Sequence, residues 1–440
     1  MIQPPAYPKF REALAFWLKL GFISFGGPAG QISIMHEYLV EKKKWISERK
    51  FLHALNYCML LPGPEAQQLA TYSGWLLHGV RGGIAAGLLF ILPSAFMIWL
   101  LSFMYVTYGD MPVIASMFTF LKPAVVGIVL TALVKIGKKS LTSPVHYIVA
   151  ASSFVLIYFL NILFPFIILG SLLIGVMASR YTHITKSTID KSVNTKEDDD
   201  ETTYVINQSV QKKGLSFSWT TLLLQSFIFI FLWIIPLLIL YSFKINNFAF
   251  WEKLSLFFTK AAFVTIGGAY AVLPYVAQVS VETFGWLTNY EMIDGLALGE
   301  TTPGPLIMVL SFVGFMAGHN IFGGSIGMAT LGLTLTTYYT FLPSFLFILV
   351  GAPYIERTQS NLFMKSVFTF ATAAVTGVIL NLGLIFGKAV ILPDDMQIEW
   401  LSLAWMIVSF ICLQLFKVNM ILWIGVSLGI GIITFILQGL

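Results

Sequence analysis

Charge is what this sequence holds least of. Asp, Glu, Lys and Arg make up 11% of its 440 residues, where a soluble domain carries about 25%. That excludes an ordinary water-soluble domain, whose surface needs those side chains. Cysteine is nearly absent too. Only Cys58 and Cys412 occur, both inside apolar runs, which excludes a disulfide framework or a thiolate cluster. No Cys/His spacing suits zinc, and no glycine-rich phosphate loop follows a strand pattern. No metal, cofactor, nucleic-acid partner or nucleotide-driven pump is therefore expected. Met1 to Arg11 places Pro4, Pro5 and Pro8 before an apolar run that contains Lys19 and lacks a small-residue cleavage site. A removable signal is not expected there.

What fills the sequence instead is apolar. Hydrophobic residues make up 57% of it. The runs 83–108, 146–176, 219–243 and 420–437 are long enough to cross a bilayer, which takes roughly 20 residues. The chain reads as an all-α polytopic membrane protein, multi-pass in the cytoplasmic membrane. Its formal charge of +5 fits basic loops on the cytoplasmic side, and would also suit an anionic substrate or lipid.

One polar tract, Arg180 to Lys213, interrupts the apolar sequence and contains Lys-Glu-Asp-Asp-Asp-Glu at 196–201. It cannot bury a core and reads as a flexible linker. Four parts follow: a first membrane repeat at 1–180, a charged cytoplasmic linker at 181–216, a bridging transmembrane helix at 217–244, and a second membrane repeat at 245–440. The repeats align almost without gaps. Gly26-Gly27 meets Gly267-Gly268, Trp45-Ile46-Ser47 meets Trp286-Leu287-Thr288, and Pro62-Gly63-Pro64 meets Pro303-Gly304-Pro305. After a short insertion, Pro93-Ser94 meets Pro343-Ser344, Gly127 meets Gly377 and Lys138 meets Lys388.

Loop charges suggest how the halves lie. Lys42–Lys44, Arg81 and Lys138–Lys139 fall on one side of the first half if segment 49–79 enters and leaves by the same face. The corresponding second-half loops carry Glu282 and Glu291 instead, and Arg357 sits where the first half has no cation. Reversed charge is what inverted-topology repeats give. The run 217–243 supplies the extra crossing. We expect nine full spans and four broken or re-entrant elements, with the N-terminus and linker cytoplasmic and the C-terminus outside.

The breaks occur at Gly26-Gly27-Pro28, Gly267-Gly268 and the two Pro-Gly-Pro tripeptides. Proline removes an N–H donor, and glycine permits unusual backbone angles. Irregular backbone at membrane depth is tolerated only inside protein or beside a water-filled cavity. Paired broken helices mark the binding site of many transporters.

These residues carry a family resemblance. Phe25-Gly26-Gly27-Pro28 with Gln31, Leu61-Pro62-Gly63-Pro64 with Gln68, Gly74 and Gly79, and Leu92-Pro93-Ser94 resemble the chromate ion transporter family. The second copy resembles the same domain through Gly267-Gly268, Trp286, Pro303-Gly304-Pro305 and Leu342-Pro343-Ser344. The resemblance implies the long, fused two-domain form, which exports chromate and confers resistance. Chromate and sulfate are both tetrahedral oxyanions, so membership leaves the substrate open between them. The copies differ: Ala269 replaces Pro28, and Leu306-Ile307-Met308 replaces Glu65-Ala66-Gln67. An asymmetric site is expected, with more polar lining from the first half.

A tetrahedral dianion needs N–H and hydroxyl donors, and a half-helix that starts at depth supplies them. The candidate lining is Ser24, Gly26, Gly27, Gln31, Pro62, Gly63, Pro64, Gln67 and Gln68 from the first half. The second half offers Thr265, Gly267, Gly268, Thr301, Thr302, Pro303, Gly304 and Pro305. Close helix packing alone also explains the glycines. Lys19 and Lys260, equivalent and inside apolar runs, read either as an electrostatic pair for the anion or as snorkelling side chains. Glu65 and Glu300 flank the breaks and are candidates for proton coupling. Pro93-Ser94 and Pro343-Ser344 read as kinks, and Lys122 as a helix-end lysine. We expect a secondary transporter rather than an enzyme, an antiporter in its simplest form. An importer or exchanger of a sulfate-like oxyanion and an anion channel are the rivals. The partners are the small oxyanion and the bilayer, and a homo-oligomer is compatible with both.

Overall fold

The computed structural model describes residues 7–25, 27–109, 111–181, 203–206, 219–266, 268–355, 362–392 and 397–438. The helices of the first repeat are α1 (Phe10–Ile23), α2 (Gly27–His36), α3 (Glu48–Cys58), α4 (Glu65–Tyr108), α5 (Pro112–Ser140), α6 (Pro144–Tyr158) and α7 (Phe164–Tyr181). α8 (Trp219–Ser242) bridges to the second repeat. There follow α9 (Phe248–Val264), α10 (Ala269–Ala277), α11 (Asn289–Thr301), α12 (Val309–Ile321), α13 (Ile326–Ile355), α14 (Leu362–Ile391), α15 (Trp400–Gln414) and α16 (Met420–Gln438). The fold is all-α, as expected. Among the described residues no strand forms, and one isolated bridge joins Ile46 to Ile206.

The same punctuation cuts both repeats. α1 and α9 end at Ile23 and Val264, just before the double glycines. α2 and α10 each run into a π-helical turn, Glu37–Lys42 and Gln278–Thr283. α3 and α11 start from a hydroxyl cap. Ser47 accepts from the Lys50 amide, and Thr288 forms a reciprocal capping box with Glu291, which satisfies first-turn donors. Both helices stop at Pro-Gly-Pro. α4 loses helical geometry only at His78 and Gly79, so a short helix after the first Pro-Gly-Pro precedes a long one. α12 and α13 repeat that arrangement.

Six described helices contain stretches long and apolar enough to cross a membrane: Glu65–Tyr108, Pro112–Ser140, Leu223–Ser242, Ile326–Gly351, Ser366–Ile391 and Met420–Leu437. Four further stretches, Pro144–Tyr158, Phe164–Ser179, Leu306–Ile321 and Trp400–Gln414, are apolar but shorter. Leu223, Phe227 and Phe231 on α8 face outward, as a lipid-facing bridge requires.

The repeats interlock instead of forming separate bundles. α5 packs on α15 and α16, and α14 packs on α6 and α7. Small residues permit these approaches: Gly127 lies against Ser409 of α15, and its partner Gly377 lies against Ala150 of α6.

The linker expectation needs one correction. Most of 181–216 lies outside the described residues, but Thr203–Ile206 is seated on the first repeat. Ser47 donates its amide to the Ile206 carbonyl (2.9 Å), and Val205 and Ile206 donate to Lys44 and Trp45. Tyr204 and Ile206 are buried in the core of that repeat. The apolar Tyr-Val-Ile stretch inside a polar tract has surface worth burying, which overrides the tract's average composition.

Candidate functional site

The two Pro-Gly-Pro breaks and the two breaks near the double glycines meet in a reciprocal crossing. Gly63 donates its amide to the Thr265 carbonyl at 2.7 Å, and Gly304 donates to the Ser24 carbonyl at 2.7 Å. Thus each Pro-Gly-Pro is tied to the other repeat's first break. Both glycines have positive φ, +119° at Gly63 and +95° at Gly304, which other residues adopt at a cost. Pro62, Pro64, Pro303 and Pro305 hold the segments extended and bring no N–H of their own.

Each break also touches a serine from the opposite repeat. A Cβ added to Gly63 would collide with Ser344 Oγ, and one added to Gly304 would lie 2.6 Å from Ser94 Cβ and 2.8 Å from Ser94 Oγ. Pro93 sits inside the long helix α4 with helical backbone angles. The Pro-Ser pairs bring a hydroxyl against the break across the repeat boundary.

Glutamines brace the crossing from one side. Gln31 Nε2 donates to the Gly304 carbonyl (2.6 Å), with the Ser24 carbonyl at 3.3 Å. Gln68 Nε2 donates to the Pro62 carbonyl (2.7 Å), and Gln67 Nε2 to Thr71 Oγ1 (3.0 Å). Their equivalents in the second repeat are Val272, Val309 and Met308. The Oγ atoms of Ser24, Ser94 and Ser344 are buried and have no partner among the described residues. The same holds for the amide oxygens of the three glutamines. A buried polar atom without a partner costs about 1–3 kcal/mol. Hydroxyls can donate, whereas amide oxygens only accept. Of these six groups only the three serine hydroxyls can donate a hydrogen bond.

The acids converge on one helix start. Tyr270 donates to Glu300 Oε1 at 2.5 Å, and a Cβ on Gly268 would lie 4.0 Å from Glu65 Oε1. Glu65 thus stands near the first turn of α10, where a helix dipole favours negative charge, and Glu300 is held by the phenol of a residue of that turn. Lys139 is the cation whose charge reaches Glu65, and Lys135 the one that reaches Glu300. Both lysines lie in the C-terminal part of α5; in the sequence Lys139 reads only as a loop charge.

Several expected residues are placed differently. Lys19 and Lys260 are exposed on the outer faces of α1 and α9, so the structure does not bring them to the breaks as an electrostatic pair. The helix face that packs inward is set by Phe16, Trp17 and Leu20, and by Phe257, Phe258 and Ala261. The hydroxyls of Thr265, Thr301 and Thr302 bond back to carbonyls of their own helices, those of Ala261, Leu298 and Gly299. The amides of Gly63 and Gly304 are likewise taken. Gly26 and Gly267 lie outside the described residues; Gly27 and Gly268 have positive φ, +73° and +98°. Among the described residues no group of His, Cys, Asp and Glu could hold a metal ion.

Comparison with known proteins agrees with this architecture. The sequence model of the family described as Chromate transporter matches residues 11–176 and 252–432, one match to each repeat. The chain is 26% identical to a protein of Synechococcus elongatus named probable chromate transport protein, over 86% of each sequence. It is 27% identical to the chromate transport protein of Cupriavidus metallidurans, over 86% of this chain and 83% of that one. An uncharacterized transporter of Methanocaldococcus jannaschii is 27% identical over 94% of this chain and 92% of its own. No solved structure matches the chain.

Proposed function

The chain belongs to the chromate transporter family, and we propose that it is a secondary transporter that exports chromate across the cytoplasmic membrane and confers resistance, driven by an ion gradient. One observation carries this reading. The two breaks cross reciprocally, and three buried serine hydroxyls without partners stand at the crossing. A dianion held by neutral donors is bound without being trapped, as release on the far side demands. An adjacent fixed cation would strengthen binding in both access states equally.

The reciprocal bonds have the form of a twofold exchange, in which the relation of first to second repeat is also that of second to first. The reversed loop charges favour an axis in the membrane plane, which makes the repeats inverted. The N-terminus and linker then lie in the cytoplasm and the C-terminus outside.

Sulfate has the same charge and shape, so the donors favour it as a competitor. Direction is tested in cells. Cells that express the chain should hold less chromate than cells that lack it at equal external chromate. Equal or higher internal chromate contradicts export and favours the importer.

A further inference from the structure

A second buried polar centre lies away from the crossing. Asp294 on α11 is buried. Its Oδ2 accepts from Tyr105 Oη of α4 at 2.9 Å and lies 3.4 Å from Lys122 Nζ of α5. Lys122 is 25% exposed and its Nζ stands 5.0 Å from the ring centre of Tyr290. Asp294 Oδ1 is buried and has no partner among the described residues. Tyr105 and Lys122 come from the first repeat, Tyr290 and Asp294 from the second. The repeat supplies no second copy: Lys122 corresponds to Thr372, and Asp294 to His53.

We propose that Asp294 is a proton-binding site of the transport cycle, and that its charge state makes or breaks the ionic link between α11 and α5. This rests on the transporter reading of the family fold. Charges at membrane depth are costly. A buried ion pair typically adds no more stability than apolar side chains of similar size, so stability alone does not account for it. The geometry favours a carboxylate that titrates. One oxygen is held by a cation and a phenol, and the other is open to accept a proton. Water delivers that proton along Lys122, the exposed member of the pair, and the product is a neutral carboxyl at Oδ1. Lys122 is then left against the Tyr290 ring, a favourable seat for a cation. α11 no longer has an ionic tie to α5. Six residues on, about 9 Å along the helix, α11 carries Glu300 beside the crossing. The proton thus acts on the element that ends in a Pro-Gly-Pro break.

Other groups near Asp294 are few. α11 adds Tyr290 and Glu291, and Glu300 at its other end. Among the remaining elements packed on α11, α12 carries His319, bonded to Asn320, α14 carries Lys365 and Lys388, and α16 carries no titratable residue.

The test combines two readouts on purified, full-length protein. Infrared difference spectra between acid and alkaline pH should show a protonated-carboxyl band in the wild type that is missing in Asp294→Asn. An unchanged band in the variant overturns the proposal. In proteoliposomes an imposed pH gradient should accelerate wild-type chromate flux several-fold. Asp294→Asn should bring that ratio to about one while chromate–chromate exchange persists. A variant with the wild-type ratio overturns the proposal. Should Asp294→Asn alone fail to fold, Lys122→Met with Asp294→Asn removes both charges together and is read in the same way. A wild type that moves no chromate refutes the transporter reading instead, and the infrared result still decides whether Asp294 binds a proton.

Discussion

The amide of Gly63 lies 2.7 Å from the carbonyl of Thr265, so a glycine from one repeat is tied to the first break of the other. Gly304 and Ser24 repeat the bond with the roles exchanged. Two weak helix breakers become one rigid crossing because each supplies the partner that the other lacks.

That crossing tolerates no side chain at either glycine. Gly63→Leu or Gly304→Leu must place a Cβ against Ser344 or Ser94 in a backbone conformation costing about 1–3 kcal/mol. We expect chromate tolerance to be lost while the protein remains in the membrane, as read by growth on chromate and by immunoblot of membranes. Wild-type tolerance would remove the crossing from the site.

Ser94→Ala and Ser344→Ala remove a hydroxyl without adding bulk. A hydrogen bond to a charged group contributes about 1.5–3 kcal/mol, so each substitution should weaken chromate binding by about tenfold or more. Isothermal titration with chromate measures this. Unchanged affinity in both variants would show that these hydroxyls face no substrate.

These serines were not legible as site residues, whereas the repeat was. Gly-Gly and Pro-Gly-Pro punctuate both halves at one spacing, and backbone breaks are local properties of sequence. That Ser344 reaches Gly63, and Ser94 reaches Gly304, depends on how α13 and α4 pack, and a proline one residue earlier suggested a kink. Lys19 and Lys260 stayed open between two readings for the same reason. A lysine in an apolar run shows that it is costly, but the packed face of its helix decides where it points. The Lys122–Asp294 pair was hidden because neither residue recurs in the other repeat and each lies far from the other along the chain. The seated stretch Thr203–Ile206 was masked by the acidic tract before it.

Gln31 ties α2 to the opposite Pro-Gly-Pro. Gln31→Leu leaves the Gly304 carbonyl without its side-chain donor, a loss of about 1–3 kcal/mol. The thermal midpoint of the purified protein should fall by several degrees, while Gln67→Leu, which breaks only a bond within α4, should lower it less. Equal midpoints for the Gln31 variant and the wild type would exclude a bracing role.

Inversion of the repeats is tested by accessibility. Lys43 follows the π turn of the first repeat and is half-buried, and Glu282 lies in that of the second and is exposed. Cys58 is buried, which limits background labelling once Cys412 is replaced by serine. Lys43→Cys should react with an impermeant maleimide from the cytoplasmic side and Glu282→Cys from the outside. Reaction of both from one side would make the repeats parallel.

The most direct measurement is chromate uptake into everted membrane vesicles, with and without a proton gradient and with sulfate as competitor. Export through the crossing gives saturable uptake that collapses when an uncoupler dissipates the gradient, is lost in Gly63→Leu and is slowed by sulfate. Absence of uptake would contradict export, and flux that neither saturates nor responds to the uncoupler would make the chain an anion channel.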